Sequence, residues 1–177
     1  QYIDKYQTEA AQKAEEEAQK AEEEAAKKEE EEQEQIKAEE SRDYSGENID
    51  TPISAGNGGA ISVDNCTVSV TSDNAVSADN SSEIDISGTI VKSVGGNAVE
   101  AKNNSKINIK GGSATGTNGN GISAESGAEI NVNGTDITAN GNTPLYAVSA
   151  KGGEVNIEKA EITAADNKGA VVVGDGG

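Results

Sequence analysis

The chain has 177 residues, with 32 acidic against 14 basic side chains and a formal net charge of -18. Such a surface repels nucleic-acid phosphates and anionic membranes, so neither is expected as a partner. No histidine is present, which removes Ser-His-Asp and Cys-His nucleophile systems and the usual zinc sets, and no apolar run approaches the roughly 20 residues that direct membrane insertion requires.

Residues 1–43 are predicted to form a long charged α-helix. AQKAEEE (11–17), AQKAEEE (18–24) and AAKKEEE (25–31) are heptads of strong helix formers without Gly or Pro. Glu16/Lys20, Glu23/Lys27 and Glu24/Lys28 place acid four residues before base, the favourable order. An Ala seam runs through Ala11, Ala14, Ala18, Ala21 and Ala25 at coiled-coil spacing, then passes into Lys28, Glu32 and Gln35. Two readings stay open: an exposed stalk, or helix-mediated self-association. Tyr2, Ile3 and Tyr6 form its apolar cluster and are candidates for docking the helix start. Ser41, Gly46 and Pro52 mark a linker, placed at 44–57.

From residue 58 onward the pattern changes to a solenoid. AVSADNSSEIDISGTIVKSVGGN (75–97) is followed by equivalent units at 98–120, 121–146 and 147–169, with a partial unit at 170–177. A repeat of about 23 residues means that no unit has a core of its own and that stacking builds one. Each unit holds three short runs of alternating polarity. The first carries Val76/Ala78, Val99/Ala101, Ile122/Ala124 and Val148/Ala150; the second, Ile84/Ile86, Ile107/Ile109, Ile130/Val132 and Val155/Ile157; the third, Val91, Ala114, Ile137 and Ile162. Gly, Asn, Ser and Asp between them suit tight turns. The expected fold is an all-β right-handed parallel β-helix with three short strands per coil, preceded by the charged helix. Helical repeats need 3.6-periodic apolar faces, and leucine-rich repeats a Leu lattice; both are missing.

Register predicts outward columns: Glu83, Lys106, Glu129 and Glu154; Asp85, Asn108 and Asn131; Ser77, Ser123 and Ser149; Thr115, Thr138 and Thr163. Each is expected chiefly to solvate the wall and hold register. The first coil, 58–74, reads as an irregular cap some eight residues short. At the other end the sequence stops within a repeat, so the natural protein is expected to continue, and its start at Gln1 suits a mature or trimmed product. The single cysteine, Cys66, reads as an inert small residue near the first coil or as an exposed thiol.

No convergent acids and bases mark a catalytic face, so the expectation is a non-enzyme that needs no metal or cofactor. The period breaks once: the unit 121–146 is three residues longer, and the excess falls at Thr143, Pro144, Leu145 and Tyr146. An insertion projects from a solenoid wall, which makes these four residues the candidate protein-contact loop.

The A-V-x-A…x-I-x-I…G-x-x-(I/V)…G-N units, with the G-N-G-G-A-I opening, resemble the pertactin-type passenger domains of Gram-negative autotransporters, over roughly residues 53–177. That resemblance implies export through a C-terminal outer-membrane barrel, then display on the bacterial surface or release. It further implies action on host cells as an adhesin or receptor ligand, including signalling of the kind shown by the angiogenic-factor passengers of Bartonella. The partner so implied is a host-cell surface protein. A structural spacer without binding activity is the alternative, and a polysaccharide-active β-helix a distant third.

Overall fold

The structure, a computed structural model, describes residues 42–141, 146–165 and 169–174, together with Lys20. The charged helix expected over 1–43, with Tyr2, Ile3 and Tyr6, lies outside the described residues apart from Lys20, Arg42 and Asp43. Those last two are strand, not helix.

Strands follow one another in triplets. The first coil is β1 (Arg42–Ser45), β2 (Asn48–Ile49) and β3 (Ile53–Ala55), and the second is β4 (Ala60–Asp64), β5 (Thr67–Val70) and β6 (Val76–Ala78). Next come β7 (Glu83–Ser87), β8 (Ile90–Ser93) and β9 (Val99–Ala101), then β10 (Lys106–Lys110), β11 (Ser113–Gly116) and β12 (Ile122–Glu125). The last two coils are β13 (Glu129–Asn133), β14 (Asp136–Ala139) and β15 (Val148–Lys151), and β16 (Glu154–Glu158), β17 (Ile162–Ala164) and β18 (Val171–Gly174). Every strand pairs in parallel with its counterpart one coil on, which gives three six-stranded sheets. Sheet A runs from β1 to β16, sheet B from β2 to β17 and sheet C from β3 to β18.

The stretch 44–57, expected as a linker, is therefore solenoid. Ile53 pairs with Val76 and Ala55 with Ala78, so Ile53–Ala55 supplies the strand that the coil beginning at 58 seemed to lack. What conceals this in the sequence is a shortened corner. Ile49 lies four residues before Ile53, whereas its register partner Val68 lies eight before Val76. Gly46 and Pro52 sit beside these very short strands and look like breaks when met in isolation.

Alternation builds the interior. Ile84, Ile107 and Ile130 stack in sheet A, Val68, Val91 and Ile137 in sheet B, and Val76, Val99 and Ile122 in sheet C, all of them fully or almost fully buried. A fully buried side chain of this kind contributes about 1.5–3 kcal/mol. Small, stacked aliphatic residues fill so narrow a bore, which is why the chain manages without Phe or Trp. At the first coil the inward positions of sheet A are Arg42 and Tyr44, in register with Ile61 and Val63. The Arg42 guanidinium lies 4.5 Å from the Tyr44 ring centroid, an amphipathic pair over the apolar core. At the far end Ile157, Val171 and Val173 are exposed.

Two corners depend on left-handed backbone. Between sheets A and B such a residue recurs at Gly46, Asn65, Gly88, Gly111, Gly134 and Lys159, with Gly112 a second one directly after Gly111. Between sheets C and A it is a pair at four corners, Asn57/Gly58, Asn80/Ser81, Asn103/Asn104 and Ser126/Gly127, and Gly152 alone at the last. Asn and Gly tolerate this conformation best, so their recurrence in the repeat is a backbone requirement.

Candidate functional site

The outer wall of sheet A carries the strongest chemical signature. Its middle column is Ser62, Asp85, Asn108, Asn131 and Asn156, in register from coil to coil. Side chains along it form a one-way ladder. Asn156 Nδ2 donates to Asn131 Oδ1 at 3.1 Å, Asn131 Nδ2 to Asn108 Oδ1 at 3.1 Å, and Asn108 Nδ2 to Asp85 Oδ1 at 2.8 Å. Two of these amides donate a second time, Asn108 to Glu83 Oε1 at 3.2 Å and Asn131 to Glu129 Oε1 at 2.7 Å. The flanking column of Glu83, Lys106, Glu129 and Glu154 follows the expected register. Lys106 lies 3.5 Å from Glu129, with both side chains around two-fifths exposed, so the pair contributes little. On the other flank Asn133 Nδ2 donates to Glu158 Oε2 at 2.7 Å. An open groove of about 370 Å³ runs along this wall, lined by Asn108, Lys110, Asn131, Asn133, Asn156 and Glu158 above the Ile109, Val132 and Ile157 positions.

Charge is unevenly distributed over the walls. Outward positions of sheet A hold Asp43, Asp64, Glu83, Asp85, Glu129, Glu154 and Glu158 against Lys106 and Lys110. Sheet B presents the expected Thr115, Thr138 and Thr163 column, with Lys92 and Ser69 continuing it. Sheet C alternates Asp79, Lys102, Glu125 and Lys151 along its rim. Its outward column differs from expectation: Ser123 and Ser149 are buried, and Glu100 stands between Ser77 and Ser123.

Glu100 belongs to a second, inner ladder at the corner between sheets B and C. Asn74 Oδ1 accepts from Asn97 N at 2.8 Å, Asn97 Oδ1 from Asn120 N at 2.7 Å, and Asn120 Oδ1 from Tyr146 N at 2.9 Å. The Glu100 carboxylate holds two of these rungs, accepting from Asn74 Nδ2 at 2.7 Å and Asn97 Nδ2 at 2.8 Å. Lys102 Nζ closes the cluster at 2.9 Å, and that hydrogen bond raises the Lys102 pKa against the opposing effect of burial. Glu100 is only 7% exposed, yet three donors compensate its charge.

Of the expected contact loop, Thr143, Pro144 and Leu145 lie outside the described residues. Tyr146 is half-buried beside Gly169, and its backbone N–H takes the last rung of the inner ladder. A residue read as projecting therefore also has a structural task. Cys66 is buried, with its thiol donating to the Asp64 carbonyl at 3.3 Å, in agreement with the inert reading. Glu100, the inner Asn ladder and the groove were not anticipated. The recurrence of Asn at 74, 97 and 120 was a usable signal, since an Asn kept at one offset can bond its own image one coil away. Among the described residues, no three His, Cys, Asp or Glu side chains are grouped to hold a metal ion, and no helix is long and apolar enough to cross a membrane.

A three-sheet parallel coil with stacked Asn corners defines a β-solenoid whose exposed walls are the surfaces available for function. The chain belongs to the right-handed β-helix family: residues 52–177 match the model described as a right handed beta helix region. That match begins at the first residue before β3, which agrees with a solenoid that starts ahead of residue 58. Neither the curated proteins nor the solved structures contain a significant match to the chain.

Proposed function

We propose that this chain is a non-catalytic binding solenoid, a passenger-type domain of the autotransporter kind that is displayed on or released from a bacterial surface and engages a host-cell surface protein. The observation that carries this reading is the open groove on the sheet A wall, where the side chains of Asn108, Asn131, Asn133, Asn156 and Glu158 line one depression and Ile157 is exposed among them. Stacked strands fix the spacing of those side chains, so the surface is pre-organised and binding costs little reordering. The absence of histidine from the sequence and the use of wall amides to bond one another both favour recognition over turnover.

The test is saturable binding of the full chain to intact host cells, measured before and after protease shaving of the cell surface. Asn133→Trp, which crowds the groove rim, should weaken binding; Leu145→Ala and Tyr146→Ala report on the loop. Binding that shaving leaves unchanged, or no saturable binding at micromolar concentration, would overturn the proposal. The spacer reading draws on the same ladders, because polar groups spent on one another hold register. It predicts that deleting residues 42–177 from the parent protein leaves host-cell activity intact.

A further inference from the structure

We infer that Asn118 is a self-modification site, at which the protein's own main chain converts an asparagine into aspartate and isoaspartate with loss of ammonia. Asparagine is a thermolabile residue, and here it precedes glycine at Asn57–Gly58, Asn118–Gly119, Asn120–Gly121, Asn133–Gly134 and Asn140–Gly141. In such a pair the Gly nitrogen can attack the Asn Cγ, because no Cβ shields it and its backbone turns freely. The new N–Cγ bond replaces the bond from Cγ to the carboxamide nitrogen, which leaves as ammonia and carries off the proton of the Gly amide. Water then opens the cyclic imide at either carbonyl, so the conversion consumes water and needs no other reactant. In the sequence the five pairs are equivalent, and the fold separates them.

Attack requires a Gly N–H that no other acceptor holds and an Asn side chain free to rotate onto it. Gly58 N donates to the Asn80 carbonyl at 3.0 Å, Gly121 N to that of Tyr146 at 3.3 Å and Gly134 N to that of Glu158 at 2.9 Å. Two of the matching carboxamides are engaged as well, Asn120 by Tyr146 N at 2.9 Å and Asn133 by Glu158 Oε2 at 2.7 Å. Gly141 is not free either. Asn118 is the exception. It is exposed, and among the described residues neither its side chain nor the Gly119 N–H has a hydrogen-bond partner. One replacement in the repeat is the cause: Ser93 Oγ accepts from Gly96 N at 2.9 Å, whereas the register partner of Ser93 is Gly116, which offers Gly119 no side-chain oxygen. Serine would not fit there, since a Cβ on Gly116 would meet the carbonyls of Gly119 and Asn120. The opposing feature is that Gly119 is buried, seated closely on the Gly96 carbonyl, which restrains the turn. Either product adds a negative charge at the corner between sheets B and C. Isoaspartate also lengthens the main chain two residues before Asn120, whose carboxamide holds Tyr146 N–H.

The experiment incubates the full chain in mildly alkaline buffer and follows aspartate and isoaspartate at the five pairs by peptide-mapping mass spectrometry. In the folded chain, conversion at Asn118 should be about fivefold faster or more than at each of the other four, the factor that one hydrogen bond on the attacking amide supplies. In the chain unfolded by urea the five rates should converge, with Asn118 itself faster than in the folded state because its seat on Gly96 is lost. Asn118→Gln should remove the leading product and leave the other four rates as they are. Equal rates at all five pairs in the folded chain, or conversion led by Asn57, Asn120, Asn133 or Asn140, would overturn the inference. So would an unchanged Asn118 in the folded chain after a time in which the unfolded chain has converted at all five pairs.

Discussion

Replacing Glu100 by Gln tests how the inner ladder is held, because it keeps the shape of the side chain and removes one acceptor and the charge. In the native corner the carboxylate accepts from Asn74 at 2.7 Å, Asn97 at 2.8 Å and Lys102 at 2.9 Å. Glutamine offers one oxygen and an NH2 group, so a donor now faces a donor at one Asn rung. A hydrogen bond to a charged group is worth about 1.5–3 kcal/mol, and because the two asparagines are half-buried, water recovers part of the loss. The expected net cost is about 2 kcal/mol. With a urea dependence of about 2 kcal/mol per molar, the unfolding midpoint should fall by roughly 1 M. Hydrogen exchange gives a sharper readout. The N–H groups of Asn97 and Asn120 are bonded by the two carboxamides that Glu100 orients, whereas Tyr146 N–H bonds Asn120, which Glu100 does not hold. Exchange should accelerate at Asn97 and Asn120 and stay unchanged at Tyr146. A midpoint within about 0.2 M of the parent, with exchange at Asn97 and Asn120 unaltered, would refute the view that the buried carboxylate positions the rungs.

Lys159 occupies a left-handed corner (φ 55°) where four of the five other coils have Gly, so Lys159→Gly should stabilise the chain by about 1 kcal/mol in urea unfolding; no gain would show that the corner is unstrained. Gly112→Ala should do the opposite, costing about 3 kcal/mol or more, because a Cβ there would overlap the Thr89 carbonyl and the backbone has φ of 77°; calorimetry showing a melting temperature equal to the parent's would contradict it. Lys102 has its pKa raised above 10.5, chiefly by the hydrogen bond from its ammonium to Glu100. Its contribution to stability is therefore complete below that pH and is lost as pH rises through the higher folded-state value. The stability difference between parent and Lys102→Gln should be constant from about pH 7 to 10 and shrink above it, a trend that urea midpoints across the range would reveal.

The sequence by itself determined the solenoid. Period and alternation are local properties, and a parallel coil needs little else: once Ile84, Ile107 and Ile130 share an offset, stacking them fixes which residues face inward, and the columns Glu83/Lys106/Glu129/Glu154 and Thr115/Thr138/Thr163 follow from the same count. The count failed where the period itself changes. Arg42 pairs with Ile61 at a spacing of nineteen residues, so in the sequence β1, β2 and β3 read as the end of the helix and a linker. Tertiary structure alone decided how the polar columns are used. A column of Asn on paper does not reveal which way its amides point, and in the folded wall each donates to the coil before it. Nor does alternation reveal Glu100, which occupies an outward position of sheet C, where a charged side chain is expected in solvent, yet is buried, as is its column neighbour Ser123. It is buried because Asn74, twenty-six residues earlier in the chain, Asn97 and Lys102 converge on it, and only coiling brings those donors together.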